Sequence, residues 1–197
     1  MIITNRAKPC KVCGDAFLPF KTTQKVCGSD CAAAAGREKT ITDNARAERR
    51  DIAARKLALK SRSDWLKDAQ TAFNEFIRTR DAGLACISSG VYVTAGDSIG
   101  GDMDAGHYRS VGSAPHLRFN EDNAHGQSKH DNRYLSGNAV EYRRGLIARI
   151  GLQRVEALEA DDTPRKYTID ELKTIKATYK AKTKALLAER ELNGQAA

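Results

Sequence analysis

The residues best equipped for chemistry lie between Asp104 and Asn138, in the stretch DAGHYRSVGSAPHLRFNEDNAHGQSKHDNRYLSGN. All four histidines of the chain fall here: His107, His116, His125 and His130. Asn123, Asn132 and several carboxylates stand among them. Imidazole, amide and carboxylate groups at this density are costly to bury without partners. The set suits a divalent cation acting on phosphate, since oxygen donors hold Mg2+ or Mn2+ and imidazole moves protons near neutral pH. The alternative is a polar loop with scattered histidines.

The flanking pattern suggests how these groups are positioned. Asp104–Tyr108 reads as a strand and His116–Phe119 as its partner, with Gly112-Ser113 at the bend. A polar loop at 120–131 then leads into a helix over 132–150, although Gly137 and Gly145 weaken the helical pattern. Upstream, residues 84–95 suggest two short strands turning at Ser89-Gly90, followed by a glycine-rich loop at 96–101 that lacks any phosphate-loop pattern. Before them, Ser63 is placed to cap a helix whose Trp65, Leu66, Ala69, Phe73, Phe76 and Ile77 share one face, with Gly83 at its end. A short helix at 152–160, a linker at 161–166 and a Thr168/Glu171 capping box precede a helix that runs to Leu192. That last helix carries a broken apolar stripe, suited to the core or to a second subunit.

The N-terminus carries a different signal. Cys10-x-x-Cys13 and Cys27-x-x-x-Cys31 are two close cysteine pairs thirteen residues apart, the pattern of one structural zinc per chain. So short a segment has no core of its own, and metal binding would supply its folding energy. Lys8, Lys11, Lys21 and Lys25 surround the cysteines, and the following 32–60 segment reads as an exposed basic helix with Arg46, Arg49, Arg50 and Arg55. The net charge is +8, of which residues 1–60 supply +7 through 13 Lys and Arg against 6 Asp and Glu. Such a distribution points to an anionic partner held through phosphates. Five cysteines argue against a secreted disulfide framework, and no apolar run is long enough to cross a membrane. These readings predict a soluble cytoplasmic protein.

At this point the chain resembles the NinG (Rap) family of recombination endonucleases from lambdoid phages. The resemblance rests on Leu57-Ala-Leu-Lys60 leading to Trp65, Cys86-Ile-Ser, Asp104-Ala-Gly-His107-Tyr-Arg and Leu117-Arg-Phe-Asn120. It rests also on Asn123-x-His125, Ser136-Gly-Asn138, Tyr142-Arg143 and the N-terminal cysteine pairs. The family is similar to HNH, or ββα-metal, nucleases. The resemblance implies an α+β fold: a small ββα-metal core flanked by helices, a zinc-ribbon-like N-terminal segment and a long C-terminal helix. The corresponding domains are 1–31, 32–62, 63–160 and 161–197. It implies hydrolysis of branched recombination intermediates such as Holliday junctions and displacement loops, in a bacterial host cell or from a prophage. A homodimer would allow symmetric cutting.

The same resemblance assigns roles. His107 matches the general base, Asn123 the central asparagine that holds the loop and orients the histidine, and Asn132 a ligand of the catalytic Mg2+ or Mn2+. Asp104 is a further candidate ligand. Many HNH proteins place the acid immediately before the histidine, where this chain has Gly106. His125 and Asn138 are secondary candidates, and Arg109 joins the basic set expected to meet DNA. Relatives often carry a second four-cysteine zinc site. Its positions here are Cys86, Ser89, Ser128 and Asp131, so that zinc is expected to be lost, with packing and hydrogen bonds in its place. A hybrid site of Cys86, His130 and Asp131 is the lesser possibility. The alternative function is a non-catalytic nucleic-acid-binding or adaptor protein derived from such a nuclease.

Overall fold

The computed structural model describes residues 6–92, 103–192 and 194, so the glycine-rich loop at 96–101 lies outside the described residues. The chain divides into two compact units, residues 1–60 and 61–197.

In the first unit, β1 (Lys8–Pro9) pairs antiparallel with β2 (Ala16–Phe17). Between them Gly14 takes φ +82°, which lets its N–H reach back to the Cys10 carbonyl at 3.0 Å. A single helix, α1 (Ser29–Ala58), follows and buries none of its residues. Its alanine, arginine and glutamate content favours helix without supplying a core stripe.

The second unit is organised on α2 (Arg62–Arg80). The cap is Ser61 rather than Ser63. Its hydroxyl accepts the Asp64 N–H at 3.2 Å and the Asp64 carboxylate accepts the Ser61 N–H at 3.3 Å, closing a capping box that Ser63 has no partner to form. Phe73, Phe76 and Ile77 pack with Ala105, Ala124 and Tyr179, and Trp65 and Ala69 pack with Tyr167 and Leu172. Tyr179 and Leu172 belong to α5 (Ile169–Leu192), so the last helix forms a wall of this core. The Thr168/Glu171 capping box at its start is present, with the Thr168 N–H donating to Glu171 at 2.7 Å.

The sheet is a two-stranded antiparallel hairpin, and its second strand is not the expected one. β3 (Met103–His107) pairs with β4 (Ala124–Ser128), with Asp104 opposite Gln127 and His107 opposite Ala124. The segment expected to pair, His116–Phe119, instead starts a 3-10 turn at Pro115–Leu117. Pro115 has no N–H to give a ladder, whereas the polar residues of β4 find side-chain partners inside the fold. Residues 84–92 form turns rather than strands: the Gly90 N–H reaches the Cys86 carbonyl and the Cys86 N–H reaches Val91, each at 2.9 Å. The Ile87 N–H pairs with the Gly126 carbonyl at 3.0 Å, so this turn covers the free edge of β4.

After the hairpin the single helix expected over 132–150 is broken. His130–Tyr134 forms a π-helical turn, and α3 (Ala139–Ile150) starts afresh. Ser136, Gly137 and Asn138 take φ values of +51°, +85° and +45°, a left-handed run that no helix continues through. Gly145 sits where α3 touches the chain at Ile87: a Cβ there would lie 1.8 Å from the Ile87 carbonyl oxygen. With α4 (Leu152–Ala160), α3 closes a second cluster of Ile87, Leu117, Tyr142, Leu146, Val155 and Leu158.

Candidate active site and metal centre

Strand alternation decides what meets what. Along β3, Ala105 and His107 share one face, Asp104 and Gly106 the other. The first face packs on α2 and α5. There the His107 ring lies 5.8 Å from that of Phe73. The second face turns to α3, whose Tyr142 hydroxyl donates to the Gly106 carbonyl at 2.9 Å.

His107 is half-buried, and its Nε2 lies 3.1 Å from the Arg118 carbonyl. Burial lowers its pKa below the ordinary histidine value, outweighing the upward pull of the Arg118 and Ala105 carbonyls. The ring is therefore mostly neutral at pH 7, and the Arg118 and Ala105 carbonyls both lie against its nitrogens. Asn123 is fully buried and holds the surrounding backbone. Its Oδ1 accepts the Arg109 N–H at 2.8 Å, and its Nδ2 donates to the carbonyls of Arg109 at 3.0 Å and Leu117 at 3.3 Å. One amide thus ties the end of β3 to the turn that presents the Arg118 carbonyl to His107.

Asn132 and Asp104 are brought together, away from His107. The Asn132 amide donates to the Asp104 carboxylate at 3.0 Å. Arg133 holds the same carboxylate with two bonds, at 2.8 and 3.0 Å. Burial works to raise the Asp104 pKa, but Arg133 and Asn132 outweigh it and keep the carboxyl below its usual range. One carboxylate and one amide form a donor set suited to a hard cation. They do not fit a cation sharing a centre with His107, since His107 lies three residue steps along the strand, about 10 Å away, and on the opposite face. Gly106 offers no substitute: a Cβ there would lie 2.2 Å from Gln127 Oε1.

The other expected residues have different work. His125 is buried, with Nε2 3.2 Å from the Asp122 carbonyl and Nδ1 3.0 Å from the Arg80 guanidinium, so both nitrogens are engaged. The Asn138 amide donates to Asp131 at 3.3 Å. Arg109, expected to meet DNA, caps α4 instead, donating to the Glu159 carbonyl at 2.9 Å and pairing with Asp162. His116 ties the 161–167 linker through the Asp161 carbonyl.

Two buried hubs have no local signature in the chain. Asp81 accepts the Gly126 N–H at 2.7 Å and two bonds from Arg80 at 2.7 and 3.0 Å, with His125 and Arg149 close by. Burial opposes its charge, yet His125 and Arg80 hold the carboxyl far below its usual range. The second hub stands at the positions of the expected lost zinc. Ser88 donates to Asp131 at 2.6 Å, Gln127 donates to Ser88 at 2.9 Å, and the Ser128 N–H donates to the Cys86 sulfur at 3.2 Å. Ser128 Oγ in turn accepts the Asp131 N–H at 3.1 Å. Among the described residues, Cys86, His130 and Asp131 do not converge as a metal-binding group.

Cys10, Cys13, Cys27 and Cys31 do converge, with all four sulfurs within 4.8 Å of one another. The Cys13–Cys27 and Cys27–Cys31 separations are 3.6 and 3.5 Å. Tetrahedral zinc with bonds of about 2.3 Å needs sulfurs about 3.8 Å apart, so the set fits. Backbone N–H groups, first that of Cys13, lower the Cys10 pKa to about 6, whereas the neighbouring Cys27 sulfur pushes the Cys31 thiol up. Lys11, Lys21, Lys25, Arg46, Arg49, Arg50 and Arg55 are exposed on this unit, while Lys8 donates to the Thr22 carbonyl at 3.0 Å.

A family model described as "Bacteriophage Lambda NinG protein" matches residues 3–190. The chain belongs to the NinG family. It is 41% identical to Protein ninG of Escherichia phage lambda over 188 residues, covering 88% of this chain and 89% of that one. It is 41% identical to Protein ninG of Enterobacteria phage H19B over 198 residues, covering 91% and 96%. To Protein ninG of Salmonella phage P22 it is 40% identical over 188 residues, covering 88% and 90%. No solved structure matches significantly. In this NinG chain no helix among the described residues is long and apolar enough to cross a membrane.

Proposed function

We propose that this NinG-family chain is an endonuclease that hydrolyses phosphodiester bonds in branched DNA, with His107 as general base. The observation that carries the reading is the Asn123 clamp, which fixes the backbone on both sides of a neutral, half-buried His107. A neutral imidazole keeps a lone pair on one of its nitrogens and can take a proton from an attacking water. The exposed basic residues of the first unit would hold backbone phosphates in a salt-dependent way. Asp104 and Asn132 suit Mg2+ or Mn2+ by donor type, but they lie on the other face of β3 from His107, so an ion held there would not reach a phosphate at His107.

The test is incubation with a four-way DNA junction and Mg2+ or Mn2+. Wild type is expected to cut and His107→Ala to cut about 10²- to 10⁴-fold more slowly. If both bind the junction and neither cuts, the nuclease reading is wrong. The rival is a DNA-binding protein without hydrolytic activity. It is favoured by the engagement of Asp104 with Arg133, since both carboxylate oxygens are already held by a cation.

A further inference from the structure

If His107 acts on a phosphodiester, the positive charge nearest that phosphate must come from its own face of the hairpin. That face adjoins a groove of about 360 Å3 between α2 and Arg118. Its polar lining is Ser63, Lys67, Gln70, Thr71, Asn74 and Arg118: two cations, two amides, two hydroxyls and no carboxylate. Arg118 links the groove to the histidine. Its carbonyl faces His107 Nε2, and its guanidinium reaches Gln70 Oε1 at 3.1 Å and the Val111 carbonyl at 3.3 Å. Gln70 in turn donates to Asn74 at 2.7 Å. Phe73, whose ring packs on that of His107, stands on α2 between Gln70 and Asn74.

The charges in the groove are uncompensated. Among the described residues, neither Lys67 nor Arg118 has an ion-pair partner, and the nearby acid Asp68 is taken by Lys176. Burial already lowers the Arg118 pKa, a cost that a bound anion would relieve. We propose that this groove seats a DNA backbone phosphate on the His107 side of the hairpin, with Lys67 and Arg118 as its cationic contacts. The proposal rests on the reading of His107 as the base, because it places the substrate strand on the α2 face rather than the Asp104 face.

The experiment uses the full chain and a labelled four-way junction, with affinity measured by fluorescence anisotropy across a salt series. Lys67→Ala and Arg118→Gln are each expected to lower the slope of log affinity against log salt by about 1, and to weaken binding about three- to tenfold. Thermal melts check folding. Should Arg118→Gln fail to fold, Lys67→Ala and Lys67→Glu at an exposed position carry the test alone. Wild-type slopes in the Lys67 variants overturn the proposal. A second arm follows the Gln70 and Asn74 side-chain amides by NMR. Their signals are expected to move with DNA and not with inorganic phosphate at equal ionic strength. Movement with phosphate alone overturns the assignment to DNA. Lowered slopes in a protein that never cuts DNA retain the groove and remove the nuclease. Unchanged slopes in a protein that cuts do the reverse.

Discussion

Asn123 Oδ1 accepts the Arg109 N–H at 2.8 Å while its Nδ2 donates to the Arg109 carbonyl at 3.0 Å, so one buried side chain satisfies both backbone groups of one residue. Asn123→Ala leaves those groups unpaired, while the Leu117 carbonyl keeps the bond from the Asn120 N–H at 3.0 Å. It is expected to cost about 1–3 kcal/mol of stability in urea unfolding. Asn123→Asp keeps the acceptor but sets a buried carboxylate oxygen against the Arg109 and Leu117 carbonyls, and is expected to cost at least as much stability.

The depressed pKa of His107 has a definite sign. The folded protein binds its proton less readily than the unfolded chain does, so falling pH favours unfolding once the unfolded histidine, at about 6.5, begins to protonate. This contribution is fully present above that value and is lost as pH falls through it. Because the folded-state value is lower still, more than half of His107 is already neutral at pH 6.5, and cleavage should decline as pH falls further. A rate that rises tenfold between pH 6.5 and 7.5 would contradict a depressed His107 as the base.

Asp81 behaves oppositely. Its carboxyl is held far below the usual range, so its stabilising contribution is present above the unfolded value, about pH 4, and lost as pH falls further. Acid unfolding of the second unit below about pH 4 should therefore be blunted in Asp81→Asn. That variant should be about 3–5 kcal/mol less stable at pH 7, because Arg80 and Arg149 lose their buried counter-charge. Urea midpoints at pH 7 and pH 3 measure both effects.

Gly145→Ala is a sharper packing test. The added methyl would meet the Ile87 carbonyl at 1.8 Å, and a backbone atom on the edge of β4 has little room to yield. Helix propensity alone would reward alanine by about 1 kcal/mol. The clash is expected to reverse the sign, with a net loss of about 1–3 kcal/mol in thermal or urea unfolding.

Metal analysis should find about one zinc per chain, lost on Cys13→Ser or strong chelation. NMR signals from residues 6–31 should then collapse toward unfolded positions, with those of residues 61–192 unmoved. Two zincs per chain would contradict the hydrogen-bonded cluster around Asp131.

The sequence was most legible where one local rule acts alone. The cysteine spacing placed four sulfurs together, and apolar periodicity marked the buried face of α2 with Phe73, Phe76 and Ile77. The Thr168/Glu171 pair marked the start of α5. Legibility ended where polar residues are buried by partners distant in sequence. Ala124–Ser128 reads as loop because His125 and Gln127 look solvent-facing, and only Arg80, Ser88 and Gly137, from elsewhere in the chain, make it a strand. The helix break at Ser136–Asn138 is likewise a backbone event, with a single glycine as its visible sign. For the site, residue types were legible but their sidedness was not. Asp104 and His107 read as one motif until the strand register separated them.

The hydrogen-bonded group of Cys86, Ser88, Ser128 and Asp131 gives the two units different dependencies on their surroundings. With zinc on its four cysteines, the first would draw its order from an ion that must be supplied. The second closes its turn with side chains encoded in the chain itself. In a zinc-starved cell, newly made chains would thus complete the hairpin that carries His107 while the cysteine-bearing unit stayed unfinished.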